Sequence, residues 1–312
     1  MFFEGPEKKV ELALIPGRPS LRSRGHDYWK EIVAKANAQV LSTISSDSMD
    51  AYLLSESSLF VTDTWLTMIT CGRTDLVSAV MKLVDDFGVD AFQYLVYERK
   101  NAHHQEYQPS NFFEDCRRLS DRMPAKSFRF GDGDDHHVFL FHLDKPYVPA
   151  AEDLTLEILM HGIDPQASRV FMSGPARKKD FIKEKSGVWS ILPGFQVDDY
   201  LFEPMGYSLN AIKGSKYYTI HVTPQKIGSY VSFETNCVEG DANETVTRVL
   251  DLFKPQSCDV ILFQPQSARQ KVRCYYPIKR AVRQNLSCGY RVTFDHHFKP
   301  VEGAAPATEI VL

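Results

Sequence analysis

Four polar residues lie at the centre of the stretch Ala51-Tyr-Leu-Leu-Ser-Glu-Ser-Ser-Leu-Phe-Val61, between two apolar segments. Serine clusters usually mark turns, so the composition alone favours a hairpin turn or a kinked edge strand. A chemical interpretation is also open. A serine hydroxyl held against the carbonyl group of the preceding residue can attack it and convert the peptide bond into an ester. β-Elimination then cuts the chain and leaves a pyruvoyl group at the new N-terminus.

Strand-like segments dominate the rest of the chain. Alternating or β-branched runs predict strands over residues 38–44, 51–61, 66–71, 92–97, 138–143, 217–223, 230–234, 260–263 and 290–295. Helical spacing predicts helices over residues 27–37, 74–87, 112–123 and 244–253. Because the strands come in clusters, we predict an α+β protein with antiparallel sheets. Helices flank strands in both the first and the last third, which indicates two similar halves joined by a connector at 171–193.

Composition excludes several classes of protein. The chain has 312 residues, 43% of them hydrophobic and 24% charged, as in an ordinary globular protein. Its net charge of −4 argues against a nucleic-acid partner, which needs a basic face. Its apolar runs are shorter than the about 20 residues of a membrane-spanning helix, so no membrane partner is expected. The N-terminus lacks a signal-peptide pattern. Because the six cysteines form no CxxC pair, we expect a cytoplasmic protein without disulfides.

Three pairs of adjacent histidines raise the question of a metal: His103-His104, His136-His137 and His296-His297. Neighbouring residues in a strand point to opposite faces of the sheet, and no pair has the helical i, i+4 spacing of a metal motif. We therefore predict no functional metal site.

The stretch Tyr52-Leu-Leu-Ser-Glu-Ser-Ser-Leu-Phe60 resembles the self-processing site of the eukaryotic S-adenosylmethionine decarboxylase family. Other segments resemble that family's motifs in the same order: Phe2-Phe-Glu-Gly-Pro-Glu7, Ile69-Thr-Cys-Gly72, Arg99-Lys-Asn101, Thr155-Leu-Glu-Ile-Leu-Met160, Gly206-Tyr-Ser-Leu-Asn210, Tyr218-Thr-Ile-His-Val-Thr-Pro224 and Tyr230-Val-Ser-Phe-Glu-Thr-Asn236. The resemblance implies a single domain, 1–312. Its fold would be an internally duplicated four-layer αββα sandwich of two antiparallel sheets with outer helices. The active site would lie at the sheet edge between the halves.

The resemblance also implies a proenzyme that is cut between Glu56 and Ser57. Residues 1–56 would become the β chain, and residues 57–312 the α chain with the pyruvoyl group at its start. By similarity, His221 removes the Cα proton of residue 57, and Ser208 steadies the intermediate of the acyl shift. An imidazole suits proton removal because its ordinary pKa lies near neutrality. Outside such a motif, a histidine in a β-branched strand is more often a core residue.

The implied reaction is the decarboxylation of S-adenosylmethionine, whose product is the aminopropyl donor for spermidine synthesis. The pyruvoyl cofactor, derived from Ser57, acts as the electron sink. Cys71 matches the family's proton donor, since a thiol with an ordinary pKa of about 8.5 is protonated at neutral pH. Without the motif, an isolated cysteine is usually a small buried hydrophobe.

Several residues match the family's substrate contacts. Phe3 and Phe202 match two aromatic side chains that stack on adenine. Glu4 and Glu7 match acids near the substrate, and they suit its positively charged sulfonium. Leu54, just before the cut, would line the slot through its backbone.

Three positions depart from the pattern of the animal enzymes. Gln225 stands where the family commonly has a glutamate that binds the ribose, and an amide is a weaker acceptor. Met205 replaces a common cysteine, which indicates a packing change, and Ile69 replaces a lysine. The change at Gln225 leaves room for another substrate, such as arginine or ornithine. A non-catalytic regulatory paralogue is a further alternative, but it would not need Ser57.

An acidic cluster matches the site that binds putrescine in the animal enzymes; its members are Glu11, Asp153, Glu157 and Glu234. Buried carboxylates are costly unless they are paired, so a diamine or an internal lysine or arginine must neutralise them. Because Ile69 replaces the linking lysine, we expect only weak control by putrescine. The sequence leaves open whether the processed unit is a monomer or a homodimer.

Overall fold

The computed structural model describes residues 3, 5–172, 179–238, 242–300 and 303. The first of its two sheets lies in the N-terminal half. Its strands are β1 (Lys8–Leu14), β2 (Val40–Ser45), β3 (Met49–Leu54), β4 (Ser57–Thr62), β5 (Trp65–Thr70), β6 (Phe92–Lys100), β7 (Ala125–Gly131) and β8 (His137–Leu143). They are hydrogen-bonded in the order β2-β3-β4-β5-β1-β6-β8-β7, and every pairing is antiparallel.

The second sheet repeats this arrangement. Its strands are β9 (Thr155–His161), β10 (Gln196–Leu201), β11 (Tyr207–Lys213), β12 (Lys216–Thr223), β13 (Tyr230–Thr235), β14 (Ser257–Pro265), β15 (Ile278–Asn285) and β16 (Tyr290–Phe298). Their order is β10-β11-β12-β13-β9-β14-β16-β15, which is the first order with eight added to each number. The internal duplication expected from the resemblance is therefore confirmed.

Helices cover one face of each sheet. The first half contains α1 (Gly25–Lys35), α2 (Leu76–Phe87) and α3 (Phe112–Ser120); the second contains α4 (Pro165–Val170), α5 (Lys179–Ser186) and α6 (Ala242–Phe253). Short 3-10 turns cover Arg22–Arg24, Val89–Ala91, Gln105–Tyr107 and Val188–Ser190. The α2 helix begins where the Asp75 side chain accepts a hydrogen bond from the Ser78 N–H, and it ends at Gly88.

Three buried apolar layers separate the elements. One lies between the helices and sheet of the first half, and another between those of the second. The third lies between the sheets, where Tyr94 and Leu140 pack in one cluster with Leu159 and Phe294. This arrangement confirms the predicted four-layer αββα sandwich.

Two expectations about the chain's organisation need correction. The connector is not 171–193, because β8 ends at Leu143 and β9 begins at Thr155, so residues 144–154 join the halves. The stretch 51–61 is two strands, β3 and β4, that pair antiparallel around a turn at Ser55 and Glu56. The hairpin turn is thus present, and the serine proposed to attack the preceding carbonyl group follows it directly.

Candidate active site

The peptide bond predicted to be cut lies at the start of β4. Ser57 is 1% exposed, and its φ is +121°, a backbone conformation that L-residues with side chains rarely adopt. Such strain costs about 1–3 kcal/mol and persists only where the surroundings enforce it. Here the β3–β4 pairing of Leu54 with Ser57 enforces it. Cleavage at Glu56–Ser57 would relieve that strain.

Cys71 contacts both sides of this bond. Its backbone N–H donates to the carbonyl oxygen of Glu56 at 3.0 Å, and its thiol lies 3.7 Å from the same oxygen. The Ser57 hydroxyl donates to the sulfur of Cys71 at 3.4 Å. The structure therefore brings together the predicted nucleophile, its target carbonyl and the predicted proton donor. No sequence pattern pointed to the backbone donor.

His221 and Ser208 face each other across two strands of the second half. They are register partners on β12 and β11, and the Ser208 hydroxyl lies 2.9 Å from the His221 Nδ1. The His221 Nε2 lies 3.0 Å from the Thr219 hydroxyl and 3.2 Å from that of Ser58. Burial lowers the pKa of His221 to about 3, so the imidazole is neutral at physiological pH.

Ser58 connects this histidine to the hairpin, a role that sequence analysis missed. Its hydroxyl donates to the Asn210 side-chain oxygen at 2.5 Å. The Asn210 amide in turn donates to the Tyr52 carbonyl oxygen at 3.0 Å. These bonds fasten the β3–β4 hairpin to β11 of the other half. In the sequence, only the adjacent serines and the asparagine of the Gly206–Asn210 motif pointed to these hydrogen bonds.

A cavity of about 320 Å³ opens beside Ser57, at the lower end of the size range of ligand pockets. Its lining includes both predicted aromatic side chains, Phe3 and Phe202. Gln225 also lines it, and its side-chain oxygen is buried without a hydrogen bond to a described residue. A buried acceptor of this kind is costly unless a ligand supplies the donor.

Glu56 also points a carboxylate into this cavity. Its Oε2 is buried without a hydrogen-bond partner among the described residues, and burial raises its pKa to about 7. Gly72 makes room for it: a Cβ there would lie 2.8 Å from that oxygen and 3.1 Å from the Phe3 ring. Gly72 also has a φ of +62°, which favours glycine.

The remaining predicted contacts lie elsewhere. Glu7 and Leu54 are not among the described residues that line the cavity. Glu7 is buried where the Ser232 hydroxyl donates to it at 2.6 Å, and burial raises its pKa to about 8. Leu54 packs in the apolar core of the first half. Glu4 lies outside the described residues.

An internal cation occupies part of the predicted acidic cluster. The Lys9 ammonium forms ion pairs with Glu157, with Glu234 at 3.0 Å and with Glu98 at 3.8 Å, and all four side chains are buried. Burial lowers the pKa of Lys9, but the charges of these carboxylates outweigh it and hold the pKa well above its ordinary value. The sequence analysis required a diamine or an internal cation to neutralise these acids, and Lys9 is that internal cation.

The other two acids of the cluster accept hydrogen bonds from tyrosine hydroxyl groups. Tyr94 donates to Glu11 at 2.6 Å, and Tyr290 donates to Asp153. Burial raises the pKa of Glu11 to about 7 and also raises that of Asp153. Both carboxyl groups line a second cavity, of about 270 Å³.

Comparison with known proteins agrees with this geometry. Residues 1–300 match the family model described as adenosylmethionine decarboxylase. This chain belongs to that family. It is 34% identical to the S-adenosylmethionine decarboxylase proenzyme of Xenopus laevis, over 86% of this chain and 85% of that protein. It is 32% identical to that of Dictyostelium discoideum, over 85% of this chain and 76% of the relative.

A solved structure shows the same fold. The crystal structure of Trypanosoma brucei AdoMetDC-delta26 monomer superimposes with a TM-score of 0.61 at 24% identity. The match covers 78% of this chain and 99% of that one. Within the described part of this chain, none of the helices has the length and apolarity needed to cross a bilayer.

Proposed function

We propose that this chain is a self-processing, pyruvoyl-dependent decarboxylase of S-adenosylmethionine. The observation that carries the proposal is the strained Ser57, whose preceding carbonyl accepts the Cys71 N–H inside a cavity that both halves line. Processing would divide the single domain 1–312 into chains 1–56 and 57–312. The family match supports this function, and nothing in the site favours arginine, ornithine or a non-catalytic role instead.

Self-processing follows from the contacts around Glu56 and Ser57. The Ser57 oxygen attacks the Glu56 carbonyl carbon while the Cys71 N–H stabilises the negative charge that develops on the oxygen. The peptide nitrogen then leaves, and an ester replaces the amide. His221, neutral and hydrogen-bonded to Ser208, takes the Cα proton of residue 57, and the ester breaks with Glu56 as the new C-terminal carboxylate. Water then converts residue 57 to the pyruvoyl group and releases ammonia.

The site fits a pyruvoyl group at residue 57, because that residue is buried at the cavity wall beside a thiol. When present, the group supplies an electron sink for decarboxylation. Burial, followed by the charge of Glu56, raises the pKa of Cys71 well above its ordinary value. The thiol therefore keeps its proton at neutral pH and is able to donate it to the product carbon.

The cavity wall supports an adenosyl substrate. Phe3, which is 38% exposed, and Phe202 offer apolar faces for a purine. The Gln225 side-chain oxygen is free to accept a hydrogen bond from a ribose hydroxyl. The Glu56 carboxyl group supplies negative charge for the sulfonium when it is ionised. Glu7 is buried, with its carboxyl group held by the Ser232 hydroxyl, and it does not contact the cavity directly. We assign it a positioning role.

Lys9 supports a form of the enzyme that does not need putrescine. Its ammonium already neutralises Glu157 and Glu234, which leaves Glu11 and Asp153 as the acids that would bind a diamine. We expect processing without putrescine and less than about a fivefold gain in activity on its addition. All six cysteines are free, in keeping with the cytoplasmic location proposed from the sequence.

Intact mass spectrometry tests processing. The purified wild type should give two chains, the larger beginning with a pyruvoyl group, and Ser57→Ala should give one uncut, inactive chain. Ser55→Ala is the matched control, because the hydroxyl of this serine in the same turn accepts a hydrogen bond from the Gln39 N–H and contacts neither Cys71 nor His221 among the hydrogen bonds described. It should process normally. An uncut wild type with full activity would refute the proposal, and so would cleavage of Ser57→Ala.

Carbon dioxide release tests the substrate. The processed protein should act on S-adenosylmethionine and leave arginine and ornithine untouched. Gln225→Ala should raise the KM for S-adenosylmethionine more than it lowers kcat, because it removes a substrate contact away from the reacting atoms. Release from a basic amino acid alone would show that the departure at Gln225 marks another substrate.

A further inference from the structure

A cluster of metal-ligating side chains lies outside the lining of the cavity at Ser57, two strands along the second sheet from Thr223 of that lining. It joins His136, which precedes β8, to His161 at the end of β9 and Asp259 in β14. One donor atom from each lies within 4.8 Å of the others. We propose that these three side chains bind a divalent transition-metal ion, with zinc as the best fit, in a site that fastens the two halves together.

His161 provides the second observation that points to a ligand. It is 7% exposed, and neither ring nitrogen hydrogen-bonds to a described residue. Its Nε2 lies 3.9 Å from the Asp259 Oδ2, beyond hydrogen-bonding distance, and its ring centroid lies 4.0 Å from that of His136. A buried imidazole without a partner is costly, and a metal ion would satisfy it.

His296 orients the Asp259 carboxylate. Its Nδ1 lies 2.7 Å from the Asp259 Oδ1, which leaves the Oδ2 to face the cluster. Two imidazoles and one carboxylate form a common zinc donor set, with a fourth position for water.

His136 accounts both for how an ion enters the site and for how the donor atoms close around it. Tetrahedral zinc with bonds of about 2.1 Å needs donor atoms about 3.4 Å apart, closer than they stand here. His136 is partly exposed, and its Nε2 lies 3.5 Å from the Ser257 hydroxyl, a long contact that is easily given up when the ring turns inward. It also lines an open cavity with His103 and Asp135, through which an ion is able to enter.

Lys100 is the competing cation. Its ammonium lies 3.1 Å from the Asp259 Oδ2, where a metal would bind. It also donates to the Asn101 side-chain oxygen at 2.6 Å and to the His137 carbonyl oxygen at 3.1 Å. It therefore keeps two partners when the carboxylate oxygen turns to a metal. The competition predicts that Lys100→Met binds zinc more tightly than the wild type.

The test is calorimetric titration of chelator-treated, full-length protein with zinc chloride, together with thermal melts. We expect one ion per chain and a higher melting midpoint with zinc. His136→Gln and His161→Gln should each weaken binding at least about tenfold, and His296→Asn by about 10–100-fold. His104→Gln, an exposed histidine outside the cluster, is the matched control and should bind like the wild type.

Cobalt locates the ion independently of folding effects. Cys258, Cys274 and His297 form a neighbouring group in which the Cys274 thiol interacts with the other two side chains. A cobalt complex with a sulfur charge-transfer band that disappears in Cys274→Ser would place the ion there and overturn the proposal. Absence of saturable binding, or equal affinity in His136→Gln and the wild type, would overturn it as well. A cobalt spectrum without sulfur bands that His136→Gln abolishes supports it.

Discussion

Replacing Lys9 by methionine tests whether an internal cation does the work of a diamine. The substitution keeps an unbranched side chain, one heavy atom shorter, and removes its charge. Glu157, Glu234 and Glu98 would then remain buried without their common counter-charge. Removing one partner of a buried ion pair costs about 3–5 kcal/mol. Proton uptake by Glu98 and Glu157, whose pKa values burial raises, places the cost at the lower end in mildly acidic buffer.

The expected loss converts into a measurable shift in melting temperature. Unfolding entropy is about 2.1 cal/mol/K per residue near 60 °C, which for 312 residues gives about 0.65 kcal/mol/K. A loss of about 3–5 kcal/mol should therefore lower the melting midpoint by about 5–8 °C. Lys82→Met is the control, because Lys82 pairs with Asp86 at the surface. Surface pairs are worth about 0–1 kcal/mol.

Putrescine should discriminate between the two proteins. At fixed ionic strength, it should leave the wild-type midpoint nearly unchanged and raise that of Lys9→Met saturably. One ammonium would replace that of Lys9, and the other would reach Glu11, which lines the small cavity beside Lys9. n-Butylamine, with one charge, should be less effective. An unchanged midpoint in Lys9→Met would refute the reasoning. So would order-of-magnitude activation of the wild type that disappears in Asp153→Asn.

Three further substitutions test the site. His221→Ala should accumulate the ester, because the acyl shift is complete but elimination lacks its base. Hydroxylamine should cut this variant, and an uncut chain would contradict the role of His221. Cys71→Ala keeps the backbone N–H at Glu56 and should still process. It should decarboxylate slowly and convert the pyruvoyl group to alanine, which mass spectrometry detects. Normal turnover would remove the thiol from the mechanism. The pKa of Glu7 is about 8 in the fold, against the ordinary 4.5, so the folded state holds a proton that the unfolded state loses between those values. That contribution to stability is lost as pH rises, by up to about 1.4 kcal/mol per pH unit. Urea unfolding of Glu7→Gln should show a shallower fall in stability between about pH 5 and 8 than the wild type, and parallel curves would refute this assignment.

The strands that the sequence predicted are those whose apolar residues alternate or run together. It missed β1, β7, β9, β10, β11 and β15, and four of these lack the signal for physical reasons. β7, β10 and β15 lie at sheet edges and carry mostly exposed or half-exposed side chains. β1 is central, but its Lys8, Lys9 and Glu11 resemble a solvated loop. Their charges are paired or hydrogen-bonded inside the protein, which no local pattern reveals.

The candidate site was predictable in its side chains and not in its backbone. The family motifs singled out Ser57, Cys71, Ser208 and His221, and the structure places the first two in contact with each other and the last two likewise. The positive φ of Ser57 and the Cys71 N–H at the Glu56 carbonyl depend on strand register. A register is set by the whole sheet, so a single stretch of sequence does not determine it.

The change at Ile69 shows why one position was an incomplete guide to the acidic cluster. Ile69 on β5 and Lys9 on β1 are direct cross-strand partners, and such partners project from the same face of a sheet. The resemblance implies a lysine at position 69 in the animal enzymes; here the cation stands on the neighbouring strand. The Lys9 charge reaches Glu157 and Glu234 across the space between the sheets. The electrostatics of a buried cluster depends on every strand that faces it, so the response to a diamine follows from all of the cluster's counter-charges, Lys9 among them, and not from position 69 alone.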